Sequence, residues 1–330
     1  MSAARKKEET RPTLAHRVEY VLARGLERAV SVLPERAAEG LGSGAGNLVG
    51  GPLAVRRGVV EANLRIAFPE ASDEWIRETA RAAYRHLGRE AAAILRLSRL
   101  DAAEVVRRTD ADGWEELQEA RAEGKGVILA TGHFGNWEIA AAAVAARGVP
   151  IAAIVKRMGN RLVDARLEAL RRRLGVETIE MHQASRQVPR VLREGGVVGI
   201  VADQDARRSG VFVPFFGRPA STHRGTALFA LRLGAPVFAC TARRLPGDEV
   251  RYEVRGRRVP VHSTGDLEAD VARLTAQMAA ALEADVRAAP EQYFWFHRRW
   301  KTKPPPEPTR SGEGIPEAGD DPDPTPGRIP

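Results

Sequence analysis

The sequence predicts an α/β fold: a mostly parallel central sheet with helices on both faces, preceded by an N-terminal helical segment. Three observations carry the prediction. From residue 127 onward, short apolar runs of strand length alternate with helix-period segments, the pattern of strands buried on both faces and joined by helical crossovers. Residues 1–100 show helical periodicity and no strand-like run. The chain has 330 residues, 43% of them hydrophobic, enough to bury a substantial core.

In chain order, Leu14, Val18, Val21, Leu22, Leu26, Ala29, Val30 and Leu33 fall three and four apart, with Arg17, Glu19, Arg24, Glu27 and Arg28 opposite. This is an amphipathic helix that either packs on the domain or lies in a head-group layer. Residues 40–55 are uncharged but hold six glycines, too many for a convincing membrane span. Helices follow over 53–68 and 73–98, the second opening after Ser72, a good N-cap ahead of acidic residues. The strand candidates are VILAT (127–131), IAAIV (151–155), VETIE (176–180), VVGIVA (197–202), PVFACT (236–241) and RYEVR (251–255). Helices over 137–147, 161–174, 184–194, 222–233 and 267–288 lie between or after them. The organisation expected is a polar extension over 1–12, a helical membrane-associating region over 13–100, an α/β domain over 101–303 and a disordered tail over 304–330. That tail holds nine prolines and almost no large apolar residue, so it cannot build a core.

Fifty-one Lys and Arg face 43 Asp and Glu, for a net charge of +8. Residues 302–330 contribute three cations and six anions, leaving about +11 on the body. That excess suits anionic partners. No helix-turn-helix, zinc or RNA-binding motif accompanies it, so nucleic acid is not expected. His16, His182, His223 and His262 have no partners at metal-ligand spacing, and neither metal nor cofactor is expected. The single cysteine, Cys240, sits in an apolar run, reads as a buried strand residue, and rules out a disulfide framework within one chain.

Chemistry concentrates in GVILATGHFGNWEI (126–139). A strand ends, turns at Gly132 to Gly135 and enters a helix, with Asn136 as N-cap. If Glu138 accepts from one nitrogen of His133, the other is free as a base. Neither serine nor cysteine is present in the stretch to act as nucleophile, which points to a substrate hydroxyl deprotonated by His133. Asp203 and Gln204 lie at another strand end, where open α/β sheets hold ligands. Arg157 follows a third strand and suits a lipid phosphate or an oxyanion. The run VFVPFFG (211–217) suits an acyl chain, membrane contact or a packed loop. The basic and aromatic HRRWK (297–301), beside Trp295, suits a membrane interface or an acidic carrier. Arg171, Arg172 and Arg173 read as a solvated face.

TGHFGNWE resembles the signature of the bacterial lipid A late acyltransferases, the lauroyl and myristoyl transferases whose relatives include enzymes acting on mannosylated phosphatidylinositol. ANLRIAFPE (62–70), VKRMGNRLVD (155–164), VADQDARRSGVFVPFFGRPAST (201–222) and PEQYFWFHRRWKTKPP (290–305) resemble further family segments in the same order. The resemblance covers most of residues 14–303. It implies His133 and Glu138 as the catalytic dyad, with Gly132, Gly135, Asn136, Arg157, Asn160, Asp203 and Gln204 around the substrate, backbone amides near Gly132 and Gly135 or Arg157 serving the oxyanion. It further implies transfer of a fatty acyl group from a thioester, on acyl carrier protein, to a hydroxyl of a membrane glycolipid such as a lipid A precursor. A phosphatidylinositol mannoside or a lysophospholipid is the alternative acceptor. The expected location is the cytoplasmic face of the inner membrane, held peripherally or monotopically with anionic inner-leaflet lipids as partners. From another class, the alternative is a non-catalytic membrane- or nucleic-acid-binding protein on the same scaffold.

Overall fold

The computed structural model describes residues 12–305; the expected polar extension and Pro-rich tail lie almost wholly outside them. The helical part comprises α1 (Leu14–Val32), α2 (Glu35–Gly50), α3 (Arg57–Ala67) and α4 (Asp73–Arg96). Ser72 caps α4 by accepting from the Trp75 amide at 3.1 Å, as its position implies. The glycine-rich stretch is α2. It presses its small face on α4, where a Cβ on Gly46 would lie 2.0 Å from the Tyr84 carbonyl oxygen and one on Gly88 1.9 Å from that of Gly42. Glycine there allows backbone to meet backbone.

The α/β part runs α5 (Ala102–Arg108), β1 (Thr109–Asp112), α6 (Trp114–Ala122), β2 (Val127–Thr131), α7 (Trp137–Ala146), β3 (Ile151–Val155), α8 (Arg161–Arg173), β4 (Val176–Glu180), α9 (Ala184–Arg193) and β5 (Val197–Val201). It continues through the hairpin β6 (Val211–Phe215) and β7 (Arg218–Thr222), then α10 (Gly225–Leu233), β8 (Val237–Arg244), β9 (Tyr252–Val259) and α11 (Leu267–Ala288). Seven strands form one sheet in the order β1-β9-β8-β2-β5-β3-β4. Every pairing is parallel except β8 with β9.

Burial of both faces explains why β2 reads as an unbroken apolar run. Val127 and Leu129 pack with Ile139 and Ala143 of α7 on one side. Ile128 and Ala130 pack with Val188 and Leu192 of α9, Ala230 of α10 and Leu274 of α11 on the other. Side chains alternate across a strand, so each neighbour in sequence serves the opposite core.

A third core joins the two parts of the chain: Val60, Leu64, Ile76 and Tyr84 from the helices meet Phe134, Phe215, Tyr293 and Trp295. It decides between the readings of two segments. VFVPFFG is packed, forming most of the β6–β7 hairpin with Val213, Phe215 and Phe216 buried. HRRWK is divided: Arg299 and Trp300 are buried beside Trp295, whereas Arg298 and Lys301 are exposed. Arg299 donates to the Ser221 carbonyl at 2.6 Å and to the Thr222 hydroxyl at 2.5 Å. The Asn63 side-chain amide donates to the Trp295 and His297 carbonyls at 2.7 Å each. The buried aromatic residues and Arg299 there serve internal packing.

Candidate active site

The parallel register of β2 and β5 places Thr131 beside Val201. Two residues past each lie His133 and Asp203, so the sheet delivers them side by side at its C-terminal edge. The His133 backbone amide donates to Asp203 Oδ2 at 2.9 Å, and the ring Nδ1 sits 2.6 Å from Asp203 Oδ1. Asp203 is buried. Burial alone would raise its pKa, but the charge on His133 and the two hydrogen bonds from it, with a smaller pull from His297, hold the carboxyl far below the usual range. Burial likewise works against a charged His133, and is outweighed first by the charge of Asp203, then by its hydrogen bond and by the charge of Glu138, so the imidazole pKa is raised. With Nδ1–H committed to Asp203, Nε2 is the nitrogen left to exchange a proton.

The expected partnership of His133 with Glu138 is not formed. Glu138 is gripped by Arg171 of α8, whose Nε and Nη2 donate to its two carboxylate oxygens at 2.8 and 2.5 Å. The physical reason lies in the helix. Glu138 falls in the first turn of α7 and its side chain points across to α8, while Asp203 already occupies the imidazole Nδ1. Arg171, expected on a solvated face, is therefore a partner of the site. Glu138 still lines the same cleft as His133.

Four amides of the turn are taken. The amides of His133, Phe134, Gly135 and Asn136 donate to Asp203, to the Gly132 carbonyl at 2.8 Å, to the Gln292 carbonyl at 2.9 Å and to the Ala242 carbonyl at 3.0 Å. These four, Gly135 among them, are committed within the protein rather than to an oxyanion. Gly135 is needed for a different reason: its φ is +56° and a Cβ would lie 1.8 Å from the Ala242 oxygen.

Asn136 is the N-cap of α7, accepting from the Ile139 amide at 3.0 Å. It is buried, and its amide donates to Glu90 at 2.8 Å. That fixes the loop from behind and takes Asn136 out of reach of substrate. Glu90, on α4, is a site residue that the sequence did not reveal. Buried, it also accepts from the Tyr252 hydroxyl at 2.8 Å and from Arg244 Nη1 at 2.9 Å. Asn160 caps α8 through the Leu162 amide at 3.1 Å and donates to the His16 carbonyl at 2.8 Å and to Glu19 at 2.9 Å. It ties α1 to α8 rather than contacting substrate. Arg157 pairs with Glu180 and lines a neighbouring polar cleft, outside the one at His133. Gln204 does line the His133 cleft, as do Lys156 and Trp137. The Trp137 ring stands edge-on to His133 with centroids 4.9 Å apart.

This cleft has a volume of about 320 Å³ and passes from His133 between α7, α8 and the sheet. Its lining combines polar groups, among them His133, Glu138, Lys156, Asp164, Arg171 and Gln204, with apolar walls from Leu129, Ile151, Ile154, Leu167, Val176 and Val201. A cleft of this mixed lining suits a reactant with a charged or polar head and a hydrocarbon tail. The sequence profile of the bacterial lipid A biosynthesis acyltransferases matches residues 7–302.

The chain belongs to this family. It is an acyltransferase. The lipid A biosynthesis lauroyltransferase of Escherichia coli is 28% identical over 272 residues, covering 82% of this chain and 87% of its own length. The phosphatidylinositol mannoside acyltransferase of Mycolicibacterium smegmatis is 27% identical over 283 residues, covering 83% and 88%. The lipid A biosynthesis myristoyltransferase of Escherichia coli is 26% identical over 272 residues, covering 81% and 80%. Within the acyltransferase family, the His-x-x-x-x-Glu pattern of residues 133–138 is thus met here by two separate ion pairs, one to each member.

Proposed function

We propose that this acyltransferase moves a fatty acyl group from a thioester, on acyl carrier protein, to a hydroxyl of a membrane glycolipid of the lipid A precursor class, with His133 as general base. One observation supports it above the rest: His133 has Nδ1 tied to a buried carboxylate and lines a cleft with apolar walls. Nε2 takes the proton of the acceptor hydroxyl as its oxygen attacks the thioester carbonyl. The tetrahedral intermediate collapses with loss of the C–S bond, and the departing thiolate receives the same proton from Nε2. Asp203 holds the ring in its tautomer and balances the imidazolium. Glu138, fixed by Arg171, adds a second negative charge nearby. Gln204 and Lys156, in the same cleft, are the groups available to the oxyanion. The acyl chain lies along the apolar walls of the cleft.

The enzyme works on the inner face of the inner membrane, held by α1. Among the described residues no helix is long and apolar enough to cross a bilayer. Helix α1 exposes most of its apolar stripe, although Val30 near its end is buried against Ala38 and Ala92. Its buried side carries Glu27, paired with Arg24 and accepting from Arg166 Nε at 3.1 Å, whereas Leu14, Val18, Val21, Leu22 and Leu26 are exposed. Arg166 holds the Glu27 carboxyl below its ordinary pKa. An outward apolar face anchored by inward charges favours a lipid surroundings over a packed partner helix.

A phosphatidylinositol mannoside is the second acceptor class, favoured by the comparable identity and coverage of the mycolicibacterial enzyme. The deciding experiment offers acyl carrier protein carrying labelled acyl chains to purified enzyme, with lipid A precursor, phosphatidylinositol mannoside and lysophospholipid in separate reactions and His133→Ala as control. Label entering the lipid A precursor, and lost in the variant, supports the proposal; label entering only another lipid replaces the acceptor. Near-normal turnover by His133→Ala would sink the mechanism.

A further inference from the structure

The charged clefts near the active site are internally neutralised. The one lined by Arg157 and Arg161 also holds Asp164, Glu168 and Glu180. The one behind Asn136 sets Arg96 and Arg108 against Glu35, Glu39 and Glu104. A third groove differs. It lies between the start of α3 and the segment after Phe296, has a volume of about 550 Å³, and is lined by Arg56, Arg57, Arg298 and Lys301 with no carboxylate.

These cations are placed, and their charge is uncompensated. Arg56 donates to the Phe296 carbonyl at 2.5 Å, and Arg57 Nε to the Gly50 carbonyl at 2.9 Å. Backbone carbonyls thus fix two guanidinium groups without cancelling them. Among the described residues none of the four makes an ion pair with Asp or Glu. The chain adopts left-handed conformations at Ala54 (φ +48°) and Arg56 (φ +59°) to enter the groove, a cost that non-glycine residues carry mainly where surroundings or function require it. Trp300 lines the groove, is more than nine-tenths buried, and its indole N–H has no acceptor in the protein.

The rim is apolar. Leu53 and Val55, just before Arg56, are 58% and 48% exposed. They continue a stripe on α2 made by Leu41 and Leu48, seven residues apart and both exposed, on the face opposite the glycines that meet α4. Exposed aliphatic side chains leading into an unpaired cationic groove match one environment: the boundary where acyl chains meet phosphate head groups.

We propose that this groove is a head-group site for an anionic phospholipid of the bilayer, separate from the catalytic cleft. A phosphodiester bridges Arg56, Arg57, Arg298 and Lys301 while Leu53 and Val55 enter the acyl region. The proposal rests on the reading that the enzyme works at a membrane, and adds a second attachment to that of α1. Two anchors at separate places on the surface fix orientation, where one alone leaves the enzyme free to swivel.

The test is vesicle co-sedimentation of the full chain, with vesicles of phosphatidylcholine alone and with about one-third phosphatidylglycerol. The variant is Arg298→Gln with Lys301→Gln, whose side chains are exposed and make no hydrogen bond within the described residues; unchanged thermal melting checks its fold. The parent should prefer the anionic vesicles, and the double variant should lose about twenty- to thirtyfold of that partitioning while binding neutral vesicles like the parent. His133→Ala should partition as the parent does, so this outcome is independent of the acyl-transfer reading. Equal anionic partitioning of parent and double variant overturns the proposal. So does displacement of the parent from vesicles by acyl carrier protein but not in the double variant, which makes the groove a carrier-docking site. Stabilisation of the parent alone by inorganic phosphate, without any vesicle preference, reduces the groove to a free-anion site.

Discussion

The Asp203 carboxylate meets His133 twice, at the ring Nδ1 at 2.6 Å and at the backbone amide at 2.9 Å. One side chain therefore sets both the tautomer of the imidazole and the position of the residue that bears it. Asp203→Asn should keep most of the geometry and lower kcat roughly 10²- to 10⁴-fold, by analogy with the loss of an orienting aspartate in other triads.

The pH dependence carries a sign. As the proposed base, His133 must be neutral to accept a proton, and its pKa is raised, so activity should rise with pH through a limb above the ordinary histidine value of about 6.5. In Asp203→Asn the main causes that raise it are gone while burial remains, with only the smaller pull of Glu138 against it, so the limb should move to lower pH. For stability, the depressed carboxyl of Asp203 contributes fully above its unfolded value of about 3.9 and is lost as pH falls below it. Rate profiles and urea titrations of both proteins check the two signs; a limb that stays in place contradicts the assignment.

Arg171 and Glu138 form a bidentate pair with side-chain exposures of 18% and 10%. Arg171→Met alone should destabilise by about 2–3 kcal/mol by stranding a carboxylate. The double variant Arg171→Met with Glu138→Gln should recover at least half of that. A urea-unfolding double-mutant cycle reads the coupling directly, and additive single effects would show that the pair is not coupled.

At Gly135, an alanine has to adopt a positive φ and overlap the Ala242 carbonyl oxygen. Gly135→Ala should cost upward of about 3 kcal/mol, seen as a lower urea midpoint. A midpoint within error of the parent would mean that the turn is far more pliable than its four internally bonded amides indicate.

Cys240 is buried in β8, and burial, with the charge of Asp285 adding to it, pushes its thiol up to about 12. A thiol held protonated and enclosed reacts slowly. Labelling by an aromatic disulfide reagent at pH 8 should follow global unfolding, and fast labelling of the native enzyme would contradict that burial.

The strands that form the middle of the sheet could be read directly, because each is a run such as VILAT or IAAIV that both cores require to be apolar. β1, TDAD, could not: it is a short polar edge strand paired only with β9. His133 was legible from its turn and glycines. Its partner Asp203 was visible as a strand-end residue able to orient a basic side chain or the acceptor, but not as the partner of His133, because the sequence does not say that β5 lies beside β2. Seventy residues separate His133 from Asp203, whereas Glu138 is five away, and proximity in sequence favoured the nearer carboxylate. Glu90 left no local signal, being one acid in a helix otherwise rich in charge. The Arg171–Arg173 run concealed its one inward member for the same reason.

The strap over residues 292–297 carries a last consequence. It donates from the Phe294 amide to the His133 carbonyl at 2.9 Å, accepts from Gly135 through Gln292, and is itself pinned by Asn63. On the ribosome His133 therefore emerges about 160 residues before the segment that locks its turn, an interval of roughly ten to thirty seconds at ordinary elongation rates. A chain ended between residues 203 and 292 holds both His133 and Asp203 and still lacks the brace behind their turn, which is complete only after synthesis has passed residue 297.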